Sequence, residues 1–208
     1  MIVIILKLEN LNRKRLFKSL FLFEGGEGVR VDPIKNKASV VKIINELEKE
    51  SERNVILFKI GIYTGLRIKD ILKLKVKNIN GNTLEIQQSK TKKYKRIQLN
   101  DDLRNSLKKY IEGKDKEEYL IKSRNGTNEP LSYSQAYRII KKAIKRTRLK
   151  GNYGTHSLRK TYGYALYENN DLSIVQGALD HDNQVTTLKY IGVTEEEINK
   201  ATMNIKFY

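Results

Sequence analysis

Both histidines of this chain lie in its last quarter, each at a short spacing from a second polar residue. His156 precedes Arg159 by three residues, and His181 precedes Tyr190 by nine. A spacing of three places His156 and Arg159 on one face of a helix. A guanidinium offers paired donors to an anion such as phosphate and keeps its charge, while an imidazole exchanges protons near neutral pH. The pattern predicts a site that binds an anion and moves protons.

A second arginine and the tyrosine extend this candidate site. Arg67 ends the stretch Thr64-Gly65-Leu66-Arg67. Tyr190 is one of 12 tyrosines, so its position is more informative than its type. A phenol with a pKa of about 10 is a weak nucleophile unless a neighbour accepts its proton or cations stabilise the phenolate. Arginines and histidines would meet both conditions.

Each of these residues also has an ordinary structural interpretation. Arg67 at a helix start can pair with Asp70, which stabilises a helix by about 0.2–0.5 kcal/mol. His156 and Arg159 can belong to a solvated helix face, and Tyr190 can be an aromatic residue of the core. The order and spacing of the whole set, rather than any single member, favour the chemical interpretation.

The ordered set resembles the active site of the tyrosine recombinase, or phage integrase, family. In that family two arginines grip a phosphate, histidines and a lysine handle protons, and a tyrosine attacks phosphorus. The resemblance implies two phosphate-binding arginines, two proton-handling histidines and one nucleophile: Arg67, Arg159, His156, His181 and Tyr190.

The resemblance covers about residues 36–200 and extends to a lysine and an acid. The family's catalytic lysine lies where a strand enters a turn and precedes a small residue. Lys90, in Ser89-Lys90-Thr91, matches that position and would protonate the leaving 5′ oxygen. Asp70 matches an acid that braces the family's active site. Asp180 departs from the family, which usually has glycine there, and this acid would favour the protonated form of His181.

The charge of the chain indicates a polyanionic partner. Lysine and arginine total 41 against 24 acids, which gives a net charge of +17. Such a charge attracts nucleic acid, although an AT-rich genome also encodes lysine-rich proteins. The predicted DNA contacts lie beside Lys90 and near the N-terminus: Lys92, Lys93, Lys95, Arg96, Arg13, Lys14 and Arg15. The alternative for the lysines next to Lys90 is a solvated basic turn.

The composition excludes several other classes of protein. The chain has no cysteine, which excludes disulfide scaffolds, cysteine-rich zinc sites and thiol catalysis. No apolar run approaches the roughly 20 residues that span a bilayer, and no signal peptide is recognisable. We expect a cytoplasmic protein, associated with the nucleoid when bound to DNA, without membrane contact, metal ion or cofactor.

Periodicity predicts an α+β, mostly helical fold with one small antiparallel hairpin. Strands are predicted at 83–87 and 95–99, and helices at 54–63, 68–74, 101–112, 132–149, 156–169, 172–179, 184–190 and 195–201, with another helix capped by Ser39. Residues 1–38 are interpreted as an extension or linker, too short for the family's usual DNA-clamping domain. Residues 39–208 are interpreted as the catalytic domain.

The resemblance implies a site-specific recombinase that joins DNA through a 3′-phosphotyrosyl intermediate and a Holliday junction, without metal or ATP. Its partners would be double-stranded attachment sites in DNA, and it would form a homotetramer there while being weakly associated or monomeric elsewhere. Two alternatives stay open. One is nicking and resealing of the topoisomerase IB type, and the other is a non-catalytic DNA-binding remnant of an integrase.

Overall fold

The computed structural model describes residues 31–90, 92–181, 183–193 and Met203. In this part of the chain the structure is mostly helical with one three-stranded sheet, which confirms the predicted fold class. The helices are α1 Lys37–Glu48, α2 Glu52–Thr64, α3 Ile68–Ile71, α4 Asp101–Ile111, α5 Tyr133–Arg146, α6 Thr155–Tyr167, α7 Leu172–Ala178 and α8 Gln184–Ile191. A 3₁₀ turn at Val76–Asn78 precedes the strands β1 Ile79–Asn80, β2 Thr83–Gln87 and β3 Tyr94–Gln98.

The sheet is antiparallel throughout, in the order β1-β2-β3. Leu84 and Ile86 of β2 are buried, as strand alternation requires of a sheet with one face on the core. Opposite them Ile97 pairs with Leu84 and Lys95 with Ile86. The register therefore places Lys95 beside the buried face rather than at the tip of the hairpin.

Two local predictions are wrong, and one short strand was not predicted. Ser39 is not the cap of α1, because the Asn36 side chain accepts hydrogen bonds from the backbone N–H groups of Ala38 and Ser39. The helix predicted at 68–74 ends at Ile71, where the chain tightens into i to i+3 hydrogen bonds. Strand β1 has two residues, which is too short for any alternation to be read from the sequence.

The main core is centred on α2 and α6. Phe58 and Ile60 of α2 are fully buried, and Leu158 of α6 is 1% exposed. A Cβ atom at Gly61 would lie 2.7 Å from Leu158 Cδ1, so only glycine allows this approach of the two helices. This contact brings the end of α2, and with it Arg67, next to the first turns of α6.

A smaller group of apolar residues holds α7 and α8 on the last part of α6. We call Val175, Leu179 and Ile191, all fully buried, the satellite cluster. A Cβ atom at Gly163 of α6 would lie 2.8 Å from Ile191 and 2.9 Å from Leu179. This close fit fixes where α8, which carries Tyr190, meets α6.

Residues 31–36, part of the segment 1–38 that was predicted to be an extension or linker, pack onto α6 and the loop before it. The backbone N–H of Asp32 donates to Asn152 O at 2.7 Å. That of Ile34 donates to Thr161 Oγ1 at 2.8 Å, and Ile34 is 3% exposed. The predicted contacts Arg13, Lys14 and Arg15 and the predicted helix 195–201 lie outside the described residues.

Within the ranges that the structure describes, no helix has both the length and the apolar character needed to cross a membrane.

Candidate active site

Arg159 is buried at the centre of the candidate site, with 4% of its surface exposed. Its Nη1 donates to Gly65 O at 2.6 Å, and its Nη2 donates to Leu179 O. One side chain therefore joins the loop after α2 to the loop after α7. Burial lowers the pKa of Arg159, yet an arginine pKa starts so high that the charge is retained.

Gly65 makes this connection possible. Its φ of +63° is a left-handed conformation that glycine adopts without strain. A Cβ atom there would lie 2.3 Å from the Tyr162 ring. Gly65 ends α2, and two residues later Arg67 has extended backbone at the start of α3.

Arg67 and Asp70 do not form the ion pair that the ordinary interpretation requires. Asp70 is 1% exposed, and its Oδ1 accepts a hydrogen bond from the Ser89 backbone N–H at 2.8 Å. Among the described residues, neither Asp70 Oδ2 nor the buried Arg67 Nη1 has a hydrogen-bond partner. Asp70 thus anchors the hairpin and leaves Arg67 free to bind another group.

Tyr190, on α8, points its hydroxyl oxygen into this buried region. The oxygen has no hydrogen-bond partner among the described residues. Burial raises the pKa of Tyr190, while the nearby charges of Arg159 and Arg67 act in the opposite direction. The phenol is therefore protonated at rest and close to two cations that favour its phenolate.

His181 lies edge-on to the Tyr190 ring, with 4.7 Å between the ring centroids and 81° between the planes. Its Nδ1 is 3.2 Å from Thr187 Oγ1, and Thr187 donates its only hydroxyl hydrogen to Asn183 O at 3.1 Å. Thr187 can then only accept from His181, which assigns the hydrogen of a neutral imidazole to Nδ1. In that tautomer Nε2 is the acceptor nitrogen of the ring.

His156, in the first turn of α6, keeps a solvent-exposed edge. Its pKa lies below the ordinary value because the surrounding protein displaces part of its hydration and because Arg159, Lys160 and Arg67 are cations. The structure therefore brings His156 to the same cluster of positive charge as the two arginines. A histidine with a lowered pKa is neutral at pH 7 and can donate one hydrogen bond to an anion.

Lys160 belongs to this region and was not predicted from the sequence. It is 7% exposed, and its Nζ donates to Val31 O at 2.8 Å. The same Nζ lies 5.3 Å from the centroid of the Tyr190 ring. Lysine is rarely buried, so only its position beside Arg159 could have drawn attention to it.

The hairpin presents Lys90, Lys92 and Lys93 as exposed side chains around its turn. Lys90 follows Ser89, so the Asp70 contact ties this part of the turn to the loop that carries Arg67. Arg96 is exposed and pairs with Glu85 at 3.3 Å. These four residues have surface positions that a phosphate backbone could reach.

Lys95 differs from the other basic residues of the hairpin. Its Nζ donates to Ala178 O at 2.9 Å and to Asp180 Oδ2 at 3.1 Å. Asp180 Oδ2 also accepts from Gln88 Nε2 at 3.2 Å. The acid that was expected to act on His181 thus uses its carboxylate on the hairpin.

Three buried side-chain polar atoms in the described residues have no hydrogen-bond partner, and all three belong to predicted site residues: Arg67 Nη1, Asp70 Oδ2 and Tyr190 Oη. Buried polar groups are satisfied in most native structures, and an unpaired one costs about 1–3 kcal/mol. Two of the three, Arg67 Nη1 and Tyr190 Oη, are donors near the charge of Arg159, so the region is suited to an oxyanion.

A model of the phage integrase family matches residues 36–197, most of the chain. The chain belongs to the phage integrase family. It is 36% identical over 173 residues to the probable integrase/recombinase YoeC of Bacillus subtilis, covering 82% of this chain and 94% of YoeC. It is 28% identical over 194 residues to the tyrosine recombinase XerH of Campylobacter jejuni, covering 88% of this chain but 54% of XerH. The predicted family is confirmed.

Solved structures show the same fold. A crystal structure of XerA recombinase aligns with a TM-score of 0.70 at 16% identity, over 89% of this chain and 68% of XerA. XerH bound to difH substrate in a pre-cleavage complex aligns with a TM-score of 0.62 at 24% identity, over 85% of this chain and 56% of XerH. A lambda integrase tetramer bound to a Holliday junction aligns with a TM-score of 0.64 at 21% identity, over 81% of this chain and 51% of that protein.

Proposed function

We propose that this integrase-family protein is a site-specific DNA recombinase whose Tyr190 forms a 3′-phosphotyrosyl intermediate. The observation that carries the proposal is the unpaired Tyr190 hydroxyl, buried beside Arg159, Arg67 and His181. A buried phenol between two guanidinium groups and an imidazole is well placed to attack phosphorus.

Binding of the scissile phosphate is assigned to the two arginines. Arg67 Nη1 has no protein partner, and Arg159 keeps further N–H donors after its bonds to Gly65 O and Leu179 O. Because protein carbonyls hold Arg159 in place before DNA arrives, its charge needs no reorganisation when the pentavalent phosphorus gains negative charge. His156, neutral at rest, donates a hydrogen bond to a non-bridging oxygen.

Cleavage requires one proton to leave the phenol and one to reach the leaving oxygen. In the proposed step the Tyr190 oxygen bonds to phosphorus, and His181 Nε2 takes the phenol proton. The bond from phosphorus to the 5′ oxygen breaks, and Lys90 donates a proton to that oxygen. The hydrogen bond of His181 to Thr187 supports this role, since it leaves Nε2 as the acceptor.

Rejoining reverses these transfers with a different 5′ hydroxyl. The hydroxyl of a partner strand attacks the phosphotyrosine and releases Tyr190, so the phosphodiester energy is conserved without ATP or metal. Strand exchange at two attachment sites produces a Holliday junction within a homotetramer. Two proteins of similar fold support this proposal: XerH has been solved bound to difH substrate, and lambda integrase has been solved as a tetramer bound to a Holliday junction.

The test is a nicked suicide substrate that carries the attachment site. The wild-type chain should form an adduct that survives denaturant, and Tyr190→Phe should form none. Tyr162→Phe is the matched control, since Tyr162 is another half-buried tyrosine of the same region. An adduct retained by Tyr190→Phe would assign the nucleophile to another residue.

The role of Lys90 is tested with a sulfur atom at the bridging 5′ position, a leaving group that needs no proton. This substrate should restore cleavage by Lys90→Ala but not by Arg159→Ala. The control variants are Lys92→Ala and Lys93→Ala, for which only DNA contact is proposed. If the sulfur substrate restores cleavage by either control variant, the proton donor to the 5′ oxygen is that lysine and not Lys90.

A further inference from the structure

Asp180 adopts a backbone conformation that few residues other than glycine tolerate. Its φ is +51°, within the left-handed region, where side chains other than those of asparagine and aspartate are uncommon. It lies directly between Leu179, whose carbonyl accepts from Arg159, and His181. We expect contacts of the Asp180 side chain to offset the cost of this backbone conformation.

The carboxylate of Asp180 joins this loop to β3 and to the residue that follows β2. Oδ2 accepts from Lys95 Nζ at 3.1 Å and from Gln88 Nε2 at 3.2 Å. Lys95 Nζ also donates to Ala178 O at 2.9 Å. We call Asp180, Lys95 and Gln88 the hairpin clamp.

The clamp is sheltered from water. The side chains of Asp180 and Lys95 are 15% and 23% exposed, and Gln88 is 1% exposed. Burial alone would raise the pKa of Asp180, but the hydrogen bonds from Lys95 and Gln88 and the charges of Lys95 and Arg159 hold it below its ordinary value. The carboxylate is therefore ionised at neutral pH, and charge-assisted bonds of this kind exceed ordinary surface ion pairs in strength.

The clamp lies between the two proton-transfer groups of the proposed mechanism. Gln88 precedes Lys90 by two residues, and Asp180 precedes His181 by one. The Asp70 contact fixes Ser89 to the loop of Arg67, but it does not connect the hairpin to the loop that carries His181. The clamp makes that connection.

We propose that Asp180 and Lys95 are positioning residues that hold the Lys90 hairpin in register with the loop of His181 and Tyr190, an inference that rests on the proposed function. Lys95 then acts inside the protein and not chiefly as a DNA contact. Loss of either charge lets the hairpin move, so Lys90 reaches the leaving oxygen less often.

Single-turnover cleavage at saturating protein, with the ordinary and the 5′-bridging sulfur substrates, tests this inference. Asp180→Asn and Lys95→Met should each slow cleavage of the ordinary substrate about 10-fold. The double variant should be no slower than either single variant, because both changes remove the same ion pair between Lys95 and Asp180. Sulfur should restore most of the lost rate. Asp180→Gly, which relieves the backbone strain but lacks the carboxylate, should behave like Asp180→Asn.

Glu50→Gln is the matched control, since it removes a carboxylate that pairs with Lys142 and Arg146 on another part of the surface. This variant should cleave both substrates at the wild-type rate. Cleavage rates that fall additively in the double variant, or that the sulfur substrate does not restore, would overturn the inference. The proposed function would still stand if the wild-type chain forms the adduct. A wild-type chain without adduct would instead reject that function.

Hydrogen exchange tests the same inference without DNA. In Asp180→Asn and Lys95→Met, the hairpin amides of Gln88 and Lys92, which bond across the turn, should exchange about 10-fold faster at an unchanged Tm. Wild-type exchange rates at these amides would refute the clamp whatever the activity.

Discussion

The two halves of the candidate site rest on supports of unequal size. Arg67, Asp70 and Arg159 follow from the packing of α2 and α6 in the main core, to which most elements of the described chain contribute. His181 and Tyr190 are carried by α7 and α8, whose attachment depends on the three residues of the satellite cluster. The half with Arg67, Asp70 and Arg159 is therefore held by the main core. The half with His181 and Tyr190 should shift its position at a lower cost in free energy.

The polar contacts partly offset this difference. Arg159 reaches across to Leu179 O, and the hairpin clamp reaches to Ala178 O and Asp180. Both sets of contacts end on the loop after α7. Polar bonds to one loop thus compensate for a small apolar contact, and the nucleophile half should respond to changes that leave the main core intact.

The largest effect is expected for Tyr190→Phe, which should remove covalent attachment altogether while DNA binding stays near wild type. The hydroxyl lies near Arg159 but makes no hydrogen bond of normal geometry to the described residues. Its loss should therefore cost little stability, and the Tm should be unchanged or higher. Gel analysis of the adduct and a thermal melt check both statements. A clearly lower Tm would mean that the oxygen has a structural role.

The two arginine variants should both lose activity but differ in stability. Arg67→Ala and Arg159→Ala should each slow cleavage by roughly 10²–10³-fold, the effect of removing one preorganised donor. Only Arg159→Ala should also lose stability, by about 3 kcal/mol, since it strands the carbonyls of Gly65 and Leu179. Urea unfolding and single-turnover cleavage distinguish the two variants. Equal destabilisation by both would contradict the assigned contacts.

The sequence predicted the family well because the family is identified by the types of a few residues and their order along the chain. The order of the arginine, histidine and tyrosine positions predicted a family that the comparison confirms. Most helices were located because their apolar periodicity is strong, and the helix predicted at 132–149 begins at Ser132, the residue that caps α5. The roles of the site residues themselves stay predictions.

The features that the sequence did not predict depend on tertiary contacts. Lys95 looks like its neighbours in the hairpin, and its partner Asp180 lies 85 residues away. Lys160 is buried where its ammonium group donates to Val31 O, near the Tyr190 ring. Neither contact leaves a local pattern, so periodicity and residue type could not reveal it.

Two glycines provide a matched test of the unequal supports. Alanine at Gly61 would collide with Leu158 in the main core, and alanine at Gly163 would collide with Ile191 and Leu179 in the satellite cluster. Each collision costs about 1–3 kcal/mol. Gly61→Ala should lower the main Tm, whereas Gly163→Ala should slow cleavage about 10-fold with a nearly unchanged Tm.

Hydrogen exchange locates these effects. Gly163→Ala should increase exchange in α7 and α8 alone, and Gly61→Ala should increase it throughout the domain. If Gly163→Ala lowers the main Tm as much as Gly61→Ala does, the two clusters unfold as one unit and the proposed difference between them is wrong.

The smallest expected effect is a change in proton binding at His156. In the free protein its pKa lies below 6.5 because of lost hydration and three neighbouring cations. A bound phosphate supplies a negative charge and an acceptor, both of which favour the protonated form. The pKa should therefore rise on binding, and between the free and bound values the complex takes up at most about one proton, so affinity increases as pH falls. Calorimetry in buffers of different ionisation enthalpy measures this uptake. His156→Gln should remove most of it, whereas equal uptake by wild type and His156→Gln would exclude His156 from phosphate contact.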